Sequence, residues 1–265
     1  MSNLYDPRDK GFSAQMSAVD RCQVVMLRDL AVLAAEGRLI LKGGMAMRAS
    51  VGGMRLTKDV DFDRGAGLST DAAKSSLKKA MLAGAQSAGL RSALVDFLKA
   101  TDTTLRMRLS GEIPEGVVKF VVELSGRSAL PAAYQQQIRI SCPPRYGIAP
   151  FNINVYTHNM LAASKVLAVM SPNRNVPRDI YDLHDLLAMN PTDILAARVD
   201  IAKLKEIAET AVDKLSLIDY DQAVSELLPY IAPAERASIT SDAWDHMTLT
   251  VAEQMQRWAQ AAVEQ

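Results

Sequence analysis

The sequence predicts an α/β (α+β) protein in two lobes, a mixed-sheet lobe over residues 1–156 and a helical lobe over residues 157–265. Three observations point there. Apolar runs of strand length alternate with helical patterns up to Tyr156. From Thr157 onward the pattern is helical, rich in Ala, Leu, Glu and Lys, with few convincing strand runs. Charge shifts as well: residues 1–150 carry 21 basic and 14 acidic side chains and residues 151–265 carry 9 and 16, so the halves stand near +7 and −7 in a chain of zero net charge. Such polarity either steers a polyanion toward the first half or reflects two ordinarily solvated lobes of opposite sign.

Element by element, Met16, Val19, Val24, Leu27, Leu30, Val32 and Leu33 recur at helical spacing over residues 14–36, and Gly37 supplies the stop. Leu39, Ile40 and Leu41 read as a buried strand ending at Gly43-Gly44, a tight turn that opens a short helix through Ser50. A second strand is expected over about 55–62. Ser69-Thr70-Asp71 has the chemistry of a helix start and leads an amphipathic run to Ala88. Strand patterns follow at 94–98, 104–109, 117–124, 137–141 and 153–156, which a mixed sheet with helices accommodates. In the second lobe Asn190-Pro191-Thr192-Asp193 and Ala232-Pro233 separate successive helices, the last over 244–263, where Trp244 and Trp258 read as core packing.

At 265 residues, 49% hydrophobic and 23% charged, the chain is long enough to bury a core in each lobe, and its composition is not that of a disordered protein. No run approaches the roughly 18 apolar residues of a membrane span, and Met1 to Lys10 lacks a signal-peptide core. A cytoplasmic protein without a membrane partner is expected. Cys22 and Cys142 are too few for a disulfide framework or a structural zinc site, and are expected as reduced core residues. His158, His184 and His246 show no mutual ligand spacing.

The chemistry concentrates in Leu41-Lys42-Gly43-Gly44-Met45-Ala46-Met47-Arg48 and Arg55-Leu56-Thr57-Lys58-Asp59-Val60-Asp61-Phe62-Asp63. On a strand, period-two alternation sends Asp59 and Asp61, with Asp63 in line, to one face and Val60 and Phe62 to the other. Neighbouring carboxylates repel and lose hydration on burial, so a strand built only for stability would rarely place them together. A hard cation resolves the conflict: magnesium or manganese combines one or two carboxylates with water and substrate phosphates. Gly43 and Gly44 allow a close turn, and the helix that follows would aim its first amides at phosphate oxygens.

The Gly-Gly turn, the short helix, Arg-x-Thr-x-Asp-x-Asp-x-Asp and a later charged segment together resemble the AbiEii/MenT-like nucleotidyltransferase toxins of the polymerase-beta-like nucleotidyltransferase superfamily. These motifs span residues 39–185. The later segment is Leu161-Ala162-Ala163-Ser164-Lys165 followed by Arg174-Asn175-Val176-Pro177-Arg178-Asp179-Ile180-Tyr181-Asp182-Leu183, and it looks like the family's Lys and Arg-Asp-x-x-Asp motifs. The resemblance implies that Lys165 and Arg178 neutralise triphosphate charge, the arginine in bidentate fashion. Asp179 and Asp182, three apart on one helix face, would either orient Lys165 or accept a proton from the attacking hydroxyl. Glu123 is the candidate third metal ligand beside Asp59 and Asp61, with a cross-strand salt bridge as its other reading. Thr57 stands where the family commonly has serine and keeps a hydroxyl for phosphate. Met45 replaces a small hydroxyl residue, which leaves backbone amides to hold phosphate there.

The resemblance implies binding between the lobes and transfer of NMP from an NTP to an acceptor, the 3′ end of tRNA, with growth arrest countered by a cognate antitoxin protein. A small-molecule or protein acceptor uses the same metal chemistry, and a catalytically inactive binding member of the fold is the competing class. Arg106 and Arg108 share a strand face that either contacts RNA or triphosphate or is simply solvated.

Overall fold

The computed structural model describes residues 2–53, 55–172, 174–187 and 199–264. The chain divides into two compact units, Met1–Tyr156 and Thr157–Gln265.

In the first unit the order is β1 (Ser2–Asn3), α1 (Ala14–Asp29), α2 (Ala31–Ala35), β2 (Leu39–Lys42), α3 (Gly43–Ser50), β3 (Asp59–Arg64) and α4 (Thr70–Ser87). There follow β4 (Arg91–Ala100), β5 (Thr104–Ile113), β6 (Gly116–Ser128), β7 (Gln135–Ser141) and β8 (Phe151–Tyr156). The strands form one mixed sheet in the order β1-β7-β8-β2-β3-β6-β5-β4. Its pairs β1/β7, β8/β2 and β3/β6 are parallel and the rest antiparallel. The alternation read from the sequence is visible in burial. Val60, Phe62, Leu105, Met107, Leu109, Val118, Phe120, Val122 and Leu124 are buried, and α1 and α4 pack against this part of the sheet. Burying a side chain of this size stabilises by about 1.5–3 kcal/mol, so the sheet–helix core is the main source of the unit's stability.

Three boundaries differ from the sequence reading, each for a local reason. The expected helix over 14–36 breaks at Leu30, whose ψ of −2° ends α1 while its amide still reaches Met26 O. No glycine or proline marks the break. The strand expected over 55–62 begins only at Asp59, because Thr57 folds its hydroxyl back to the Asp59 backbone and so shapes a turn. Strands β4, β5 and β6 extend beyond their apolar runs because the β4–β5 and β5–β6 ladders continue through polar residues. Cys22 is buried, and burial pushes its thiol up to about 12; Cys142 is only half-buried, against the expectation of a core position, because it lies just past the end of β7.

A polar network sits inside this unit. Arg48 on α3 donates to both oxygens of Asp20 on α1 (2.7 and 3.1 Å) and to Tyr5 O (3.1 Å), and its guanidinium lies 4.2 Å from the Tyr5 ring centre. Tyr146 donates to Asp20 as well (2.5 Å). Burial and the Asp20 charge together push the Tyr146 phenol up. Removing one member of a buried pair leaves the other charge uncompensated. Arg48→Met is therefore expected to lower unfolding free energy by about 3–5 kcal/mol in urea titration, while Asp20→Asn/Arg48→Met loses less.

The second unit contains α5 (His158–Val169), α6 (Pro177–Leu187), α7 (Ile201–Ser216), α8 (Tyr220–Glu226), α9 (Pro233–Arg236) and α10 (Ser241–Val263). Asp200, Asp219 and Thr240 cap α7, α8 and α10 by accepting first-turn amides. Pro233 opens α9, as the Ala232-Pro233 punctuation suggests; the Asn190–Asp193 punctuation lies outside the described residues. Trp244 is fully buried between α10 and the end of α7, with its indole N–H on Ile218 O at 2.9 Å. Trp258 is half-buried. Among the described residues no helix is long and apolar enough to cross a membrane.

Candidate active site

β3 is the strand on which the site is built. Val60 and Phe62 are fully buried, whereas Asp59, Asp61 and Asp63 are half-buried on the opposite face. Pairing then adds neighbours on that face, since residues opposite each other in a ladder point the same way. Lys42 of β2 lies opposite Asp61, Glu123 of β6 lies opposite Asp61 on the other side, and Arg106 of β5 lies opposite Glu123.

The Gly43-Gly44 turn is pressed against this row. Gly43 has φ +67°, and a Cβ there would overlap Asp61 Oδ2; a Cβ on Gly44 would stand 2.9 Å from the Arg55 guanidinium and 3.0 Å from Thr57 Oγ1. Gly43 is thus favoured both by its left-handed backbone and by its approach to Asp61, while Gly44 lies against the mobile end of Arg55. Gly43→Ala is expected to cost about 1–2 kcal/mol from backbone handedness alone. It should also displace the Asp61 carboxylate, so nucleotide binding falls further than the thermal midpoint suggests, which paired melting and binding titrations would show.

Thr57, read as a phosphate ligand, is 6% exposed, and its hydroxyl donates to Asp59 O (3.1 Å) while accepting from Asp59 N (3.3 Å). Gln23 of α1 donates to Thr57 O at 3.0 Å. Those bonds fix the entry to β3 and hence where Asp59 points. Met45 is fully buried in the core, and no side chain caps α3, so the first amides of that helix are the groups left to meet an anion. Glu123 is half-exposed, with its carboxylate 3.9 Å from Arg106 Nε. Among the described residues no three His, Cys, Asp or Glu side chains are gathered tightly enough to hold a metal, so Glu123 shares the row of Asp61 without closing a three-ligand cluster.

Asp63 is held in a way that the sequence did not reveal. Its carboxylate accepts from Lys42 Nζ (2.6 Å) and from the hydroxyl of Tyr156 on β8 (2.5 Å). Lys42 is visible in the sequence as a charge ending an apolar strand before the glycines. Nothing in the sequence marks Tyr156, because its role depends on β8 lying beside β2.

In the second unit, α5 and α6 bring Lys165, Asp179 and Asp182 together. The Lys165 ammonium lies 2.7 Å from Asp179 Oδ1 and 2.6 Å from Asp182 Oδ2, and Arg174 Nε lies 2.7 Å from Asp179 Oδ2. Both carboxylates are 1% exposed. Burial acts to raise the pKa of Asp179, but Lys165 and Arg174 overcome it and hold the carboxyl down at about 2. Of the two roles read for these aspartates, the geometry supplies the partners for orienting Lys165. Arg178 instead places its guanidinium 5.6 Å from the Tyr230 ring centre, with a buried Nε that has no hydrogen-bond partner among the described residues. Burial, and then His246, lower the pKa of His184.

Solved structures of low sequence identity share the fold. A protein from H. pylori assigned as a nucleotidyltransferase superimposes with a TM-score of 0.60 at 15% identity, covering 96% of each chain. JHP933 from Helicobacter pylori superimposes at 0.57 and 13% identity, covering 96% of this chain and all of its own. The sequence model of the nucleotidyl transferase AbiEii toxin family, of type IV toxin–antitoxin systems, matches residues 25–263, and the chain belongs to that family of nucleotidyltransferases. Among curated proteins, none matches the sequence.

Proposed function

We propose that the chain transfers a nucleoside monophosphate from an NTP to a hydroxyl of the tRNA 3′ end, releasing pyrophosphate, as the toxin partner of a cognate antitoxin acting in the cytoplasm. The observation that carries the reading is the placement of Asp59 and Asp61 on one face of β3, against a turn whose Gly43 has a left-handed backbone and closely approaches Asp61. Two half-buried carboxylates fit a hard divalent ion, magnesium or manganese, that completes its shell with water and phosphate oxygens. When bound, such an ion supplies positive charge against the phosphates and polarises the attacking hydroxyl.

The chain's own groups do the rest. Amides of the first turn of α3 receive phosphate oxygens, and the Thr57 brace fixes Asp59. In the helical unit, Arg178, which makes no ion pair among the described residues, and Lys165, oriented by Asp179 and Asp182, are the cations assigned to phosphate. In the reaction the acceptor oxygen bonds to the α-phosphorus, the bond to the β-phosphate oxygen breaks, and pyrophosphate leaves with the electron pair. The hydroxyl proton passes to solvent.

A polyanionic acceptor is supported by the outer face of β5 and β6. Arg106 and Arg108 keep 50% and 43% of their side-chain surface exposed there, and exposed Lys119 shares the ladder. The test incubates purified protein with magnesium, each α-labelled NTP, total tRNA and, separately, protein and small-molecule acceptors. Label on tRNA from at least one nucleotide is expected; label only on another acceptor would reject tRNA as the target.

A further inference from the structure

We infer that Lys42 is a nucleotide-binding residue, an ammonium held beside the Asp59/Asp61 pair to receive triphosphate oxygens, and that Asp63 and Tyr156 are the positioning residues that hold it. The inference rests on the nucleotidyltransferase reading above and adds a cation to that site.

Three facts place the charge. The β2–β3 register sets Lys42 opposite Asp61, so the two side chains leave the sheet on one face. Lys42 is also the residue that precedes Gly43 and caps α3, which puts it at the helix end whose amides carry no side-chain cap. Its ammonium is then drawn along the strand to Asp63, 2.6 Å away, rather than left to sweep freely.

The holding group is more elaborate than a salt bridge needs. Asp63 shares a face with Asp59 and Asp61 and in sequence looks like a third carboxylate of the same kind. Both of its oxygens are nevertheless taken, one by Lys42 and one by the hydroxyl of Tyr156, a side chain only 1% exposed. A carboxylate engaged by an ammonium and a phenol is not offered to a divalent ion, so Asp63 serves the lysine. Lys42 itself keeps 31% of its side-chain surface exposed. An ammonium has three donors, and the bond to Asp63 uses one, which leaves donors for an incoming anion. A rigid brace suits this role, because a lysine stem is flexible and fixing it beforehand lowers the entropy lost on binding.

The test measures binding without turnover: equilibrium dialysis of labelled, non-hydrolysable α,β-methylene NTP analogues with magnesium, and separately KM and kcat in the transfer assay. Lys42→Met is expected to weaken analogue binding and raise KM by about tenfold, the value of one charge-assisted phosphate contact, with kcat changed less than threefold. Lys42→Arg should recover most of the binding. Tyr156→Phe, which keeps the ring and removes only the brace, should raise KM severalfold with an unchanged melting temperature. Wild-type affinity in Lys42→Met, or a loss in Tyr156→Phe confined to melting temperature, would overturn the assignment while leaving the nucleotidyltransferase reading intact. Failure of the wild-type protein to bind any analogue would overturn both.

Discussion

Replacing Asp59 and Asp61 together by alanine is expected to abolish nucleotide transfer, by a factor of about 10³ or more, while the protein stays folded. The magnitude follows from removing the groups that would hold a divalent ion, whose charge stabilisation is worth several kcal/mol at about 1.4 kcal/mol per tenfold in rate. Both carboxylates are half-buried on one face of β3, and the fully buried Val60 and Phe62 on the other face are untouched by the change. The measurement is α-label transfer beside a thermal melt of the same preparation. Activity retained within tenfold by the folded double variant would sink the metal-pair account.

Lys165→Met is expected to cost about 3–5 kcal/mol, as much as Arg48→Met, because it removes the ammonium shared by two carboxylates that are each 1% exposed. The same group predicts a pH dependence. The Asp179 carboxyl sits at about 2 in the folded chain against an ordinary 3.8, so its stabilisation is present above the ordinary value and is lost as pH falls from about 4 through 2. The loss amounts to roughly 2 kcal/mol. In Lys165→Met the fall across that window should flatten, which urea titrations at about pH 5 and pH 2.5 would reveal. A further variant separates folding from chemistry. Lys165→Met/Asp179→Asn/Asp182→Asn removes every member of the trio's charge and should recover most of the lost stability. If transfer returns with stability, Lys165 acts only by joining α5 to α6; if transfer stays absent in a stable protein, its ammonium acts on substrate.

Much of this arrangement was legible in the sequence wherever the decisive physics is local. Period-two alternation gave the buried Val60 and Phe62 and the opposite carboxylates, and the glycine pair marked a turn that the structure shows pressed against Asp61. The spacing of Asp179 and Asp182 gave one helix face, and their joint grip on Lys165 followed. What depended on strand order was hidden. Tyr156 reaches Asp63 only because β8 and β3 flank β2, 93 residues apart in sequence as the two side chains are. Asp20 and Arg48 carry no local sign that they meet in the core, since charged residues at those positions read equally well as surface. Thr57 shows a different limit: its hydroxyl was legible, but only the folded turn shows that the Asp59 backbone claims it.

The central claim is that Asp59 and Asp61 hold a divalent ion against a nucleoside triphosphate. Manganese binding followed by electron paramagnetic resonance, with and without a non-hydrolysable NTP, tests it in the wild type and in Asp61→Asn. The account predicts an ion bound tightly only with nucleotide present, and lost in the Asp61→Asn protein. Equal manganese uptake by both proteins, or none by the wild type with any nucleotide, would contradict it.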